Sequence, residues 1–230
     1  MNIPILFEDN HLLIVEKPVN VPVQGDSSGD HDLLTILKED IKVRYQKPGN
    51  VYLGLVHRLD RPVGGAIVFA KTSKSASRLS DMIRRRVIDR TYLTVVHGVP
   101  KQKKGTLEHY LLKDSRKNKV TAEAASHPQA KQAILGYEVL ESKEGFSLLA
   151  VKLHTGRSHQ IRVQLATIGH PIYGDQKYGE RVNKPGQQIA LWSNLLSFEH
   201  PVRKEPITIQ NRPPVDYPWN LWRIFEEKNI

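Results

Sequence analysis

The chain has 230 residues, 39% of them hydrophobic, and no cysteine. That composition supports a core and excludes wholesale disorder, a disulfide framework and a thiolate metal site. A net charge of +10 and a pI near 9.7 point to a polyanionic partner, and for a domain this basic nucleic acid is the commonest one.

No apolar run approaches the length of a membrane span. Met1-Asn2-Ile3-Pro4 carries no basic flank before a long apolar segment, so no signal peptide is expected. With no cysteine, a reducing, cytoplasmic compartment is expected, and no membrane partner. Leu12-Leu13-Ile14-Val15 predicts a short buried strand, ended by Lys17-Pro18. Leu33, Leu37, Ile41 and Tyr45 recur every four residues, with Leu34 beside them. That spacing predicts an amphipathic helix with Asp30 or Asp32 near its N-cap. Val51 to Val56 and Gly65 to Lys71 predict strands. Between them stands His57-Arg58-Leu59-Asp60, a carboxylate with an arginine nearby, set between apolar-rich segments. Ser73 predicts the cap of a helix with Ala76, Leu79 and Ile83 inward and Arg78 and Arg85 outward.

Thr91 to Val96 is again strand-like and is ended by Gly98 and Pro100. Ala133–Leu140 and Phe146–His154 predict two strands split by a turn at Lys143-Glu144-Gly145. Ser158 to Ile168 predicts a helix, with Ile161, Leu165 and Ile168 inward and Gly169 and Pro171 as its stop. Strands and helices alternate without a steady βαβ rhythm, and several strand pairs look like hairpins. An α+β fold follows, with a mixed, largely antiparallel sheet and flanking helices. The chain shows no repeat, low-complexity tract or clear linker, so residues 1–230 are expected to form a single domain.

Residues 71–104 hold Lys71, Lys74, Arg78, Arg84, Arg85, Arg86, Arg90, Lys101, Lys103 and Lys104, against only Asp81 and Asp89. Such a cluster can track phosphates along a strand. Lys113, Arg116, Lys117 and Lys119 form a second basic group in an expected loop. Asp60 has two readings: a structural carboxylate serving a turn, or a cleft carboxylate acting as nucleophile or base. Around residue 156, a glycine turn leads into a helix N-terminus that favours anions. Arg157 and Arg162 add charge there, and His159 lies one turn from Arg162 on roughly the same face. Histidines 57, 97, 154, 159 and 170 are numerous but lack zinc-ligand spacing, so no metal site is expected. There is no P-loop, dinucleotide fingerprint or Gly-x-Ser-x-Gly elbow.

Four stretches together resemble the RluA-type family of RNA pseudouridine synthases. They are Phe7-Glu8-Asp9-Asn10-His11 running on to Lys17-Pro18, His57-Arg58-Leu59-Asp60 with Gly65, Arg90-Thr91-Tyr92-Leu93 running on to Gly98, and Thr155-Gly156-Arg157-Ser158-His159-Gln160-Ile161-Arg162 continuing through Gly174-Asp175 to Tyr178-Gly179. The likeness runs from about residue 5 to about residue 213. It implies the pseudouridine synthase fold with a central active-site cleft, and isomerisation of uridine to pseudouridine in structured RNA, ribosomal or transfer, with no cofactor and no metal. Asp60 matches the family's catalytic aspartate, either attacking the anomeric carbon or removing a proton from the neighbouring ribose carbon. Tyr92 matches the tyrosine that packs on the target base, and Arg162 the arginine paired with the aspartate. Arg58 matches the residue that fills the gap left by a flipped base.

The expected catalytic set is therefore Asp60, Tyr92 and Arg162. The expected RNA contacts are His57, Arg58, Arg84, Arg85, Arg86, Arg157 and His159. The chain departs from the family pattern at Val63-Gly64-Gly65, where Thr-Ser-Gly is usual, at Gln164, where histidine is common, and at Trp192-Ser193, where His-Ala is common. The lost hydroxyls motivate the alternative of an inactive RNA-binding or chaperone module of the same fold. A metal-dependent nuclease is a third reading, suggested only by the His57 and His159 regions. A monomer without a separate N-terminal RNA-binding domain is expected.

Overall fold

The computed structural model describes residues 1–26 and 28–222. In chain order its first elements are β1 (Ile5–Glu8), β2 (Leu12–Lys17), α1 (Leu33–Arg44), β3 (Gly54–Leu55), β4 (Gly64–Ala70) and α2 (Ser73–Arg84). Then come β5 (Asp89–His97), β6 (Lys104–Asp114), β7 (Lys119–Glu123), β8 (Lys131–Lys143), β9 (Phe146–Leu153), α3 (Gln160–Thr167), β10 (Leu191–Glu199) and β11 (Pro206–Gln210). The fold is α+β, and the chain forms two compact units. One is Met1–Arg90 with Ser193–Asn211, and the other is Thr91–Trp192 with the stretch from Arg212. The chain leaves the first unit inside β5 and returns to it inside β10.

The first unit is built on the strand order β1-β2-β4-β10, with β3 also on β4 and β11 on β10. β2 and β4 run antiparallel, with Leu12 opposite Ala70 and Lys17 opposite Gly65. β4 is buried along its whole length and β2 at five of six positions, which is why both read as apolar runs rather than alternations. α1 buries Leu33, Leu37 and Ile41, and Asp32 caps it by accepting the Thr35 N–H. α2 is capped one residue before the expected Ser73: Thr72 accepts the Ser75 N–H, and Ser73 is already helical. Such a cap stabilises by about 1 kcal/mol. Leu79 of α2, backed by Ala76, Met82 and Ile83, packs with Leu12, Ile14, Val68, Leu196 and Phe198. Each such fully buried side chain contributes about 1.5–3 kcal/mol of burial free energy.

The expected strand from Val51 to Val56 shrinks to Gly54–Leu55, opposite Ala70 and Phe69. β2 already occupies one edge of β4, and β10 shares the other edge with β3, so little of it is left.

In the second unit the order is β5-β9-β8-β6-β7, with antiparallel neighbours. Val163 of α3 packs on Leu111, Val120 and Ala133 from that sheet. The second basic group spans the β6–β7 hairpin: Arg116 and Lys117 lie in its connecting turn, as expected, while Lys113 stands in β6 and Lys119 opens β7. Asp114 makes the reversal by accepting the N–H groups of Arg116 and Lys117 at 2.9 and 3.1 Å, an Asx-type turn. Among the described residues no helix is long and apolar enough to cross a membrane.

Candidate active site

Asp60 opens a four-residue turn closed by the Val63 N–H donating to its carbonyl at 3.0 Å. The neighbours alternate in burial. Arg58 is exposed, Leu59 is buried and anchors the segment, and Asp60 is half-buried. Beneath the turn lies Lys17, at the end of β2 and fully buried. Its ammonium donates to three carbonyls: Val63 at 2.7 Å, Pro18 at 2.8 Å and Arg61 at 2.9 Å. Burial pulls the Lys17 pKa down to about 7, with Asp60 opposing that fall and Arg61 adding to it. Three carbonyls at hydrogen-bonding distance hold the charged form, because only an ammonium offers three N–H donors. The two hydroxyls absent at Val63-Gly64 are thus not needed to hold the turn. Val63 is buried, and its N–H and carbonyl are both engaged.

Gly65 follows at φ +110°, a backbone conformation that residues with a side chain rarely adopt. A Cβ there would stand 2.6 Å from the Ser193 backbone nitrogen, with the Ser193 carbonyl oxygen closer still. Arg61 ties the turn to the preceding loop. It donates to the Asn20 carbonyl at 3.1 Å and the Ser28 hydroxyl at 3.0 Å, and pairs with Asp30 and, at 3.7 Å, with Asp26.

His57 is tied into the fold by its ring. Its Nε2 accepts the Val68 N–H of β4 at 3.2 Å, and its Nδ1 is buried as well. Burial, with the Arg90 charge adding to it, pushes its pKa down to about 3. His57 is therefore neutral, with its ring proton on Nδ1, because Nε2 is the acceptor. Arg84, Arg85 and Arg86 are exposed at and just beyond the end of α2, with Asp81 pairing the first two. Arg78, expected outward, is half-buried and donates to the Pro201 carbonyl at 2.7 Å.

In the second unit, Tyr92 lies in β5 opposite Val151 and is buried. Arg162 is buried in α3 and forms an ion pair with Asp175 at 2.8 Å. Burial pushes the Asp175 carboxyl up, but Arg162 and the N–H groups of Lys177 and Tyr178 outweigh it and hold the group below the usual carboxylate range. The Arg162 guanidinium stands 5.2 Å from the centre of the Tyr178 ring. The Tyr178 hydroxyl accepts the Val120 N–H at 2.9 Å and meets His159 Nδ1 at 2.6 Å. His159 and Arg162 thus meet one tyrosine, but the expected helix starts only at Gln160, with His159 as its left-handed N-cap at φ +52°. Arg157 is exposed and donates to the Gln132 carbonyl at 3.0 Å. Gln164, buried, directs its amide to the Leu107 and Ala133 carbonyls, each at 3.1 Å, and to His109 Nδ1 at 3.0 Å.

Lys17, Asp175 and Tyr178 received no role from sequence reasoning, although all three stand in the stretches that carry the resemblance. The one available signal was a lysine closing an apolar run, and that reads first as the end of a strand. Among the described residues no group of three or more histidine, aspartate or glutamate side chains could hold a metal ion.

The family model for RNA pseudouridylate synthase matches residues 11–167. An uncharacterized RNA pseudouridine synthase, YhcT, of Bacillus subtilis is 36% identical over 96% of this chain and 72% of its own. Ribosomal large subunit pseudouridine synthase C of Buchnera aphidicola subsp. Baizongia pistaciae is 34% identical over 93% of this chain and 67% of its own. Synthase D of Haemophilus ducreyi is 33% identical over 94% and 69%. Among solved structures, human RNA pseudouridylate synthase domain containing 4 shares the fold, with a TM-score of 0.78, 22% identity, and coverage of 92% of this chain and 88% of that one.

Proposed function

The chain belongs to the RluA-type RNA pseudouridine synthases, isomerases that act on RNA, and from that premise we infer that Asp60 carries the chemistry, with Tyr92 and Arg162 as its partners. In this reaction the bond from the ribose anomeric carbon to ring nitrogen 1 breaks and the uracil turns. Carbon 5 joins the anomeric carbon and gives up its proton, while nitrogen 1 gains one. Asp60 acts at the ribose as a carboxylate, and Tyr92 packs its ring on the displaced base. Residues of the chain do this work without a cofactor or a metal.

The reading rests on the Asp60–Val63 turn. A half-buried acid is presented there by backbone bonds and a fully buried lysine, an arrangement that fixes a carboxylate in one position. An acid merely capping a surface turn has no use for a buried cation beneath it, since burying that charge costs several kcal/mol.

The substrate is a uridine in structured RNA, ribosomal or transfer. The large-subunit names of the relatives favour ribosomal RNA. Exposed Arg58, Arg84, Arg85, Arg86 and Arg157 supply phosphate contacts within the catalytic chain itself, and Arg58 fills the gap left by the extruded base. A monomer in the cytoplasm suits this work. Release of tritium from RNA labelled at uridine carbon 5 tests the assignment. Asp60→Asn is expected to abolish release while RNA binding and the melting temperature persist. Full release by Asp60→Ala would overturn it.

A further inference from the structure

The turn that follows α3 holds a carboxylate to which the reaction assigns nothing. Asp175 is 1% exposed, and both its oxygens meet Arg162: Nε donates to Oδ2 and Nη2 to Oδ1, each at 2.8 Å. This two-pronged geometry fixes a guanidinium in its plane as well as its position. The carboxylate is itself immobile. Oδ1 also accepts the N–H groups of Lys177 at 2.9 Å and Tyr178 at 3.2 Å. The Asp175 carbonyl accepts the Gly179 N–H at 3.0 Å and Asn183 Nδ2 at 3.2 Å. Before it, Gly174 runs at φ +75°, and a Cβ there would stand 2.5 Å from the Gln188 carbonyl carbon. The backbone is therefore pinned at the point from which Asp175 projects.

A guanidinium has five N–H donors, and the fork commits two of them. Arg162 acts on any other group through the remaining three, whose direction is set by the Asp175 plane. Stability alone is a poor reason for such a pair. The cost of removing two charges from water offsets most of their attraction, and apolar side chains of similar volume often serve as well.

We propose that Asp175 is a positioning residue for uridine isomerisation, holding the Arg162 guanidinium in the single orientation in which it serves the reacting centre. The proposal rests on Arg162 being a catalytic group. Asp175 touches no substrate; it acts through Arg162.

The test is a double-mutant cycle on the full chain with tritium-labelled RNA, reading kcat and KM separately, with melting followed by circular dichroism. Asp175→Asn is expected to lower kcat by about 10²-fold, the cost of a misplacement near 1 Å, with KM unchanged. In an Arg162→Lys background the same change is expected to add little, because an ammonium has no plane to orient. Asp175→Glu keeps the charge but shifts it by one methylene, and an intermediate kcat is expected. This arm decides the matter if Asp175→Asn fails to fold. Additive losses in the cycle, or wild-type kcat in Asp175→Asn or Asp175→Glu, overturn the proposal. Full activity of Arg162→Lys would overturn the catalytic reading of Arg162 together with it. Loss in Arg162→Lys without loss at position 175 would remove the positioning role alone.

Discussion

Replacing Gly65 by alanine strikes the join between the Asp60 turn and the buried strand β4. Two costs add. The backbone stands at φ +110°, which for a residue with a side chain costs about 1–3 kcal/mol. The new methyl also meets the Ser193 backbone, with its nitrogen only 2.6 Å away, so one strand must move; overpacking of that kind costs about 1–3 kcal/mol. Gly65→Ala should therefore lose about 2–6 kcal/mol, which for a chain of this length is roughly 4–24 °C in melting temperature. Gly145→Ala is the control. It sits at φ +79° with nothing within 4 Å of its would-be Cβ, so it bears only the dihedral cost, about 1–2 kcal/mol. Thermal unfolding by circular dichroism compares the two directly. Because Gly65 lies opposite Lys17, the displacement also moves the platform under Asp60, and kcat should fall with stability. A Gly65→Ala protein that melts with or above Gly145→Ala would refute the close-approach argument.

Lys17→Met removes the donor shared by three carbonyls and leaves that of Val63 buried without one, a loss of about 1–3 kcal/mol. With the turn loosened, tritium release should slow while RNA affinity holds; a variant with wild-type melting and wild-type kcat would remove Lys17 from this role. His57 supplies a pH prediction. Its folded pKa of about 3 lies below the unfolded value near 6.5, so between them the unfolded chain binds the extra proton. The stability held by neutral His57 is complete above about pH 6.5 and drains away as pH falls toward 3. His57→Gln keeps an acceptor for the Val68 N–H but cannot titrate. Its melting temperature should fall less between pH 7 and pH 5 than that of the unsubstituted chain, and equal slopes would contradict the assignment.

Local pattern carried much of the fold. Leu33, Leu37 and Ile41 recur at helical spacing behind a capping aspartate, and those side chains are the buried ones. β2 and β4 announced themselves as unbroken apolar runs because both their faces are covered. β6 and β7 did not. They carry lysines and threonine on exposed faces, and what makes them strands is pairing with each other and with β8, which no periodicity within them expresses. β10 reads poorly for a related reason: it completes the first unit's sheet from residues more than 100 positions away from β4.

The site divides in the same way. Asp60 was legible as an acid set between apolar segments, and the four stretches that surround and follow it sufficed to name the family. Lys17 was legible only as the charge that ends a strand. Its task appeared when folding brought the carbonyls of Arg61 and Val63, 44 and 46 residues away, against its ammonium. Asp175 stands 13 residues from Arg162, and the turn after α3 carries it back to the helix. Residue type and spacing decide which groups can take or hold a proton. Which backbone oxygen or carboxylate stands within 3 Å of them is decided by chain closure over tens of residues, and only the packed structure records that.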